Sequence, residues 1–122
     1  MKKFIIIAAL MLPSVAHADS LDVISSRLKE GCSAAKYIAL SKEFNETWGK
    51  ANGYTARVVV PVQSSDTSLI GWVGTTANAQ AFGKAWDTWL AALSDPSSVP
   101  AKLQARFDAC SVQISRTSYT GY

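Results

Sequence analysis

The chain has 122 residues, and its 12 Lys and Arg against 9 Asp and Glu give a net charge of +3 at neutral pH. The basic residues are scattered rather than collected in a run, so the sequence has no electrostatic footprint of a nucleic-acid-binding protein. A chain of this length can build one hydrophobic core but not two. The composition therefore predicts one domain and no nucleic acid among its partners.

Residues 1–18 have the three-part pattern of a secretory signal peptide. Lys2 and Lys3 precede nine apolar residues, 4–12, and the small residues Ala16 and Ala18 favour cleavage before Asp19. Nine apolar residues are too few to span a hydrocarbon core, which needs roughly 20. We predict a signal peptide at 1–18, a single domain at 19–122, a periplasmic or secreted location and no membrane attachment after cleavage.

In the first half of the mature chain, the spacing of apolar residues changes from every second position to every third or fourth. Residues 22–29 alternate between two faces, which predicts a half-buried strand. Apolar residues from Ala34 onwards recur every three or four positions, which predicts an amphipathic helix with Ser33 as its N-cap and Gly53 as its stop. The β-branched residues 54–62 predict a second strand.

The second half adds a strand, two helices and a last strand. Residues 69–74 predict a third strand at hairpin distance, and Thr75 or Thr76 can cap the helix that follows. A short third helix is expected with Pro100 in its first turn. Residues 110–116 then alternate as a strand.

This element order predicts an α+β, ferredoxin-like β-α-β-β-α-β fold. Its four-stranded antiparallel sheet has the order fourth, first, third, second, with the helices on one face.

The two cysteines fit this topology. The end of the first strand lies beside the start of the fourth, so Cys32 and Cys110 are expected to be close in space. Exported proteins reside where disulfides persist. A redox-active or metal-binding pair is the alternative, but there is no C-x-x-C spacing and the only histidine, His17, lies in the signal peptide. We predict a structural Cys32–Cys110 disulfide and no metal site.

Three short motifs resemble the opening of the dimeric α/β-barrel proteins, which include antibiotic-biosynthesis-monooxygenase-like and NIPSNAP-like domains. The motifs are RLKEG at 27–31, Phe44-Asn45 and Gly53-Tyr54. The resemblance implies a homodimer whose two sheets face each other as a barrel. Haem-degrading members use an Asn–Trp–His set, in which Trp72 could match the tryptophan. Because the mature chain has no histidine, we expect neither haem nor another cofactor.

The strand alternation predicts two different sheet faces. Helices are expected to cover the apolar face, which consists of Ile24, Leu28, Val58, Val60, Val112 and Ile114. The polar face would line the barrel of a dimer or face water, and it consists of Ser25, Arg27, Thr55, Arg57, Ser111, Gln113 and Ser115.

The polar face suggests a ligand site. Arg27 and Arg57 lie on strands that flank the third strand, and Trp72 lies between them if it points to the same side. Two guanidinium groups beside an indole suit a small aromatic or anionic ligand, and Gln113 could add hydrogen bonds. The alternative is that the arginines are solvated or form ion pairs.

The sequence carries no recognisable catalytic motif, so the catalytic residues are unknown. Two functions remain. The first is an exported domain that binds a small molecule or a protein partner. The second is a cofactor-independent monooxygenase-like enzyme acting on a small aromatic substrate. We favour the first because no catalytic group stands out.

Overall fold

The computed structural model describes residues 19–122, and the predicted signal peptide at 1–18 lies outside the described residues. Strands and helices follow one another in the predicted order. They are β1 (Ser20–Leu28), α1 (Ala34–Phe44), β2 (Thr55–Val59), β3 (Leu69–Thr76), α2 (Ala79–Ala92), α3 (Val99–Cys110) and β4 (Ser111–Thr120).

The four strands form one antiparallel sheet with the order β2-β3-β1-β4. This is the predicted ferredoxin-like order, so the predicted fold is confirmed. All three helices pack on the sheet face that carries Ile24, Val58, Ile70 and Trp72, which we call the helix side. The opposite face, which we call the open face, carries no helix within residues 19–122. The core therefore lies on one side of the sheet.

The predicted faces are right for β1 but wrong for the first three residues of β4, whereas Ser115 pairs with Ser25 on the open face as predicted. Leu28 pairs with Ser111, and Ser26 pairs with Gln113, so Ser111 and Gln113 lie on the helix side. Val112 lies on the open face, opposite Arg27, and is 49% exposed. Ile114 pairs with no residue of β1 and is 50% exposed. The prediction assigned the apolar residues of β4 to the helix side, whereas the pairing with β1 turns Ser111 and Gln113 there. Cys110 ends α3 instead of opening the strand.

A register shift in β4 changes its alternation. Ser26 pairs with Gln113, but the preceding residue, Ser25, pairs with Ser115, so Ile114 is an extra residue in a β-bulge. Beyond the bulge the alternation is inverted. Arg116 then faces the helix side opposite Ile24, where an unbroken alternation would have turned it to the open face.

The end of α1 docks onto the edge strand β2 through one side chain. The Asn45 amide nitrogen donates to the Ala56 carbonyl at 2.7 Å, and the Ala56 N–H donates to the Asn45 side-chain oxygen at 2.8 Å. The helix widens into a π turn at Asn45–Gly49 and a 3₁₀ turn follows at Lys50–Asn52. It stops, as predicted, at Gly53, whose φ of +68° favours glycine.

The N-cap of α2 differs from the prediction. Thr75 and Thr76 belong to β3, which is longer than expected. Asn78 caps the helix instead, and its side-chain oxygen accepts from the Ala81 N–H at 2.8 Å. Ser98 caps α3, with Pro100 in the first turn as predicted.

Cys32 and Cys110 lie at disulfide distance, with their Cα atoms 5.1 Å apart, as predicted from the topology. The backbone supports the same junction, because the Lys29 N–H donates to the Cys110 carbonyl at 2.9 Å. The bond closes a long loop, with a sequence separation of 78 residues. It therefore ties the end of β1 to the junction of α3 and β4.

Replacing both cysteines by serine is expected to lower the free energy of unfolding by roughly 4 kcal/mol, because the long loop regains its freedom in the unfolded chain. Urea unfolding of unreduced protein measures the change. Reduced wild-type protein should match the double variant. Equal stability of oxidised and reduced wild-type protein would contradict the role assigned to this bond.

Candidate functional site

A cleft of about 140 Å³ lies between the sheet and the helices. Aromatic rings from α1, the turns that follow it, β3, α2 and α3 form most of its wall. They belong to Tyr37, Phe44, Trp48, Tyr54, Trp72, Phe82, Trp86, Trp89 and Phe107. Such a lining is typical of small-molecule sites, which are mainly apolar with a few polar groups.

Trp72 forms the floor of this cleft because it lies on a central strand and faces the helices. It packs edge-on against Phe44 and Phe107, with ring centroids 5.0 and 5.3 Å apart. Helical spacing brings the opposing rings together. Phe82, Trp86 and Trp89 repeat every three or four residues along α2, so they share one face of that helix.

The polar lining residues mark the mouth of the cleft. Gln113 and Asp108 are exposed and Arg116 is half-buried, whereas the floor residues Tyr37 and Trp72 are buried. The mouth therefore lies where the helices leave the edge strand β4 uncovered. At this edge, polar groups of β4 and α3 border an aromatic interior.

A buried carboxylate organises the sheet beside the cleft. The Asp22 side chain is 1% exposed. It accepts from Arg116 Nε at 2.8 Å and from Arg116 Nη2 at 2.7 Å. The Tyr54 hydroxyl donates to the same carboxylate at 2.7 Å and accepts from Trp72 Nε1 at 2.8 Å. We call Asp22, Arg116, Tyr54 and Trp72 the Asp22 network.

Two neighbours hold this network in place. The Arg116 guanidinium lies 4.0 Å from the centroid of the Trp86 ring, which is a cation–π contact. The side chain of Tyr54 lies over Gly74 of β3, where an added Cβ atom would overlap the tyrosine hydroxyl. A glycine is therefore required at this position in β3.

The two phenols near the cleft are neutral groups. Burial raises the pKa of Tyr54 above its usual range, and the negative charge of Asp22 raises it further. Burial also raises the pKa of Tyr37, which hydrogen bonds with Ser26 and Ser111 partly oppose. Both side chains therefore stay protonated and act as hydrogen-bonding groups rather than as bases.

The predicted ligand residues do not form one site. Arg27 and Arg57 lie on the open face, whereas Trp72 and Gln113 lie on the helix side. Arg27 is also engaged in an ion pair with Asp66, at 3.1 Å. Trp72 does not lie between the two arginines, because its position in β3 turns it toward the helices. Ligand binding by any of the four residues stays a prediction.

Sequence reasoning missed the residues that shape the site, although one signal was present. Asp22 has the same parity as Ile24 and Leu28, so a charged residue stood on the face predicted to be buried. A buried carboxylate needs a partner. Arg116 could not be assigned to it, because the bulge that turns it inward has no signature in the sequence.

Within residues 19–122, no group of three or more His, Cys, Asp or Glu side chains could hold a metal ion. In the same part of the chain, no helix combines the length and the apolar character that crossing a membrane requires.

Comparison with solved structures shows a shared fold. A conserved protein of unknown function from Bacteroides thetaiotaomicron, described as a possible oxidoreductase, matches with a TM-score of 0.55 and 13% identity, over 86% of this chain and 99% of that chain. A dimeric protein of unknown function with a ferredoxin-like fold from Bacteroides fragilis matches with a TM-score of 0.44 and 9% identity, over 84% and 93%. No family model and no curated protein matches the sequence.

Gly74→Ala is expected to lower the free energy of unfolding by about 2 kcal/mol or more, because the new methyl group displaces Tyr54 from Asp22. Gly83→Ala is the matched control. It lies within α2, with nothing within 4 Å of an added Cβ, and should be neutral or slightly stabilising. Chemical unfolding measures both. Equal effects of the two changes would contradict the close packing of Tyr54 on β3.

Proposed function

We propose that the protein is an exported binding domain that takes a single-ring aromatic molecule into the cleft on the helix side of its sheet. The observation that carries this proposal is the wall of nine aromatic side chains around about 140 Å³. Stacked and edge-on ring contacts favour an aromatic guest over an aliphatic one of similar size.

The volume of the cleft limits the size of the ligand. Sites for drug-sized molecules usually enclose about 300 Å³ or more, whereas an apolar cavity of about 150 Å³ is enough for benzene. A cleft of about 140 Å³ therefore suits one ring. A substituent on that ring would lie at the mouth, where the lining becomes polar.

Export is part of the proposal. Its support is the pattern of residues 1–18 and the pairing of Cys32 with Cys110, since disulfides persist in oxidising compartments. After cleavage the protein would be periplasmic or secreted.

An enzyme acting on a small aromatic substrate, without a cofactor, would use the same cleft. The Bacteroides thetaiotaomicron protein is described as a possible oxidoreductase. Its support for this alternative is limited to the shared fold. At the floor, the Tyr54 hydroxyl donates to Asp22 and the Trp72 indole N–H donates to the Tyr54 oxygen, so neither hydrogen is left for a substrate. Binding is therefore the function that the geometry supports best.

The proposal predicts saturable binding of 4-fluorotoluene, observed by ¹⁹F NMR titration. Ala85→Leu should weaken that binding about tenfold or more, because Ala85 is buried on the cleft wall and the larger side chain fills the space. Ala91→Leu is the control, since Ala91 is exposed on the same helix and should leave binding unchanged. Near-UV circular dichroism checks that both variants are folded. Equal binding by the two variants would place the ligand elsewhere.

We also propose that the open face pairs with a second copy of the chain. This face carries many apolar side chains without a covering helix, namely Leu21, Val23, Val59, Leu69, Val73, Val112 and Tyr119. Exposed apolar patches on a sheet mark interaction surfaces. The resemblance to dimeric α/β-barrel proteins favours a homodimer over a different partner.

Val112→Asp is expected to convert the dimer to a monomer, because it places a charge in the proposed interface. Val62→Asp is the control, since Val62 is 95% exposed in the connection between β2 and β3 and lies outside the open face. Sedimentation equilibrium at high micromolar concentration measures the mass. A monomeric wild-type protein under these conditions would refute the dimer.

A further inference from the structure

Two hydrogen-bond donors at the mouth of the cleft have no partner among the described residues. Arg116 uses Nε and Nη2 to bind Asp22, which leaves its Nη1 group. The indole N–H groups of Trp72 and Trp89 bind Tyr54 and Gln104, whereas those of Trp48 and Trp86 have no partner within residues 19–122. Of these two, Trp86 is the one in contact with Arg116. No buried side-chain nitrogen or oxygen in these residues lacks a partner, so both donors are accessible.

The side chains that carry these donors are in contact, and that of Arg116 is held in position. The Arg116 guanidinium lies 4.0 Å from the Trp86 ring centroid, and both side chains line the cleft. The double hydrogen bond to Asp22 fixes the guanidinium, so little conformational freedom would be lost when a ligand binds. Gln113, on the same side of β4, adds an amide beside them.

The charges around the mouth do not favour an anion. Asp22 neutralises Arg116 through the ion pair, and Asp108 adds a negative charge to the lining. Lys29 is exposed, and its ammonium group donates to the Asp108 carbonyl. With no excess positive charge, little offsets the cost of removing a carboxylate from water.

We propose that the ligand is an uncharged single-ring aromatic compound with a carbonyl-type acceptor, whose oxygen binds Arg116 Nη1 and Trp86 Nε1 while the ring occupies the cleft. This inference rests on the proposed function and narrows its ligand class. Both donors lie at the mouth of the cleft. An aromatic compound without an acceptor could therefore bind at the floor without contacting them.

The test compares three probes by ¹⁹F NMR titration of the intact mature protein: 4-fluoroacetophenone, 4-fluorobenzoate and 4-fluorotoluene. Wild-type protein should bind the ketone about tenfold more tightly than the benzoate. Trp86→Phe keeps a ring under Arg116 but removes the N–H group. It should weaken binding of the ketone about 3- to 10-fold more than binding of 4-fluorotoluene, because only the ketone loses a hydrogen bond in addition to ring contact.

Trp48→Phe is the matched control, because it removes an indole N–H elsewhere on the cleft wall and should affect the ketone and 4-fluorotoluene alike. Tighter binding of the benzoate than of the ketone would overturn the inference, and this comparison needs no variant. An equal loss for the ketone and 4-fluorotoluene in Trp86→Phe would also overturn it. In both cases 4-fluorotoluene still binds and the proposed function stands. If no probe binds, the proposed function itself fails.

Discussion

The structure depends on one buried charge. Asp22 lies on the helix side of a central strand, and a carboxylate that is 1% exposed is stable only with partners that satisfy its oxygens. Arg116 supplies two hydrogen bonds and Tyr54 a third. Removing one partner of a buried ion pair typically costs about 3–5 kcal/mol, whereas an apolar replacement of the whole pair is often neutral. The pair is therefore better understood as a device that fixes an arrangement than as a net source of stability.

The arrangement it fixes is the wall of the cleft. Arg116 reaches Asp22 because the bulge at Ile114 inverts the alternation of β4, whereas Gln113 precedes the bulge and lies on the helix side through its pairing with Ser26. Tyr54 reaches Asp22 across Gly74, which leaves no room for a side chain. The tyrosine in turn binds the indole of Trp72. One carboxylate on β1 thus sets the positions of Trp72 on β3, Arg116 on β4 and Tyr54, which precedes β2.

Much of the fold could be predicted from the sequence because the spacing of apolar residues shows which face of each strand or helix is buried. The change from a period of two to a period of three or four located β1 and α1, and the strand order then brought Cys32 to Cys110. The faces of β4 could not be predicted in this way. A strand in which polar and apolar residues alternate is ambiguous by one residue, and a shift of one position exchanges its faces. The helix end at Cys110 and the bulge at Ile114 both depend on tertiary contacts.

The site was beyond sequence reasoning for a related reason. An indole on a strand can face either side, and Trp72 was associated with Arg27 and Arg57 although its partners lie on the helix side. Its N–H group is used within the protein, as are the hydroxyl of Tyr54 and two nitrogen atoms of Arg116. Polar atoms that are already hydrogen-bonded within the protein shape the cavity, but they have no free donor with which to recognise a ligand. Under the proposed function, the ligand is therefore recognised by the donors at the mouth that the Asp22 network does not use.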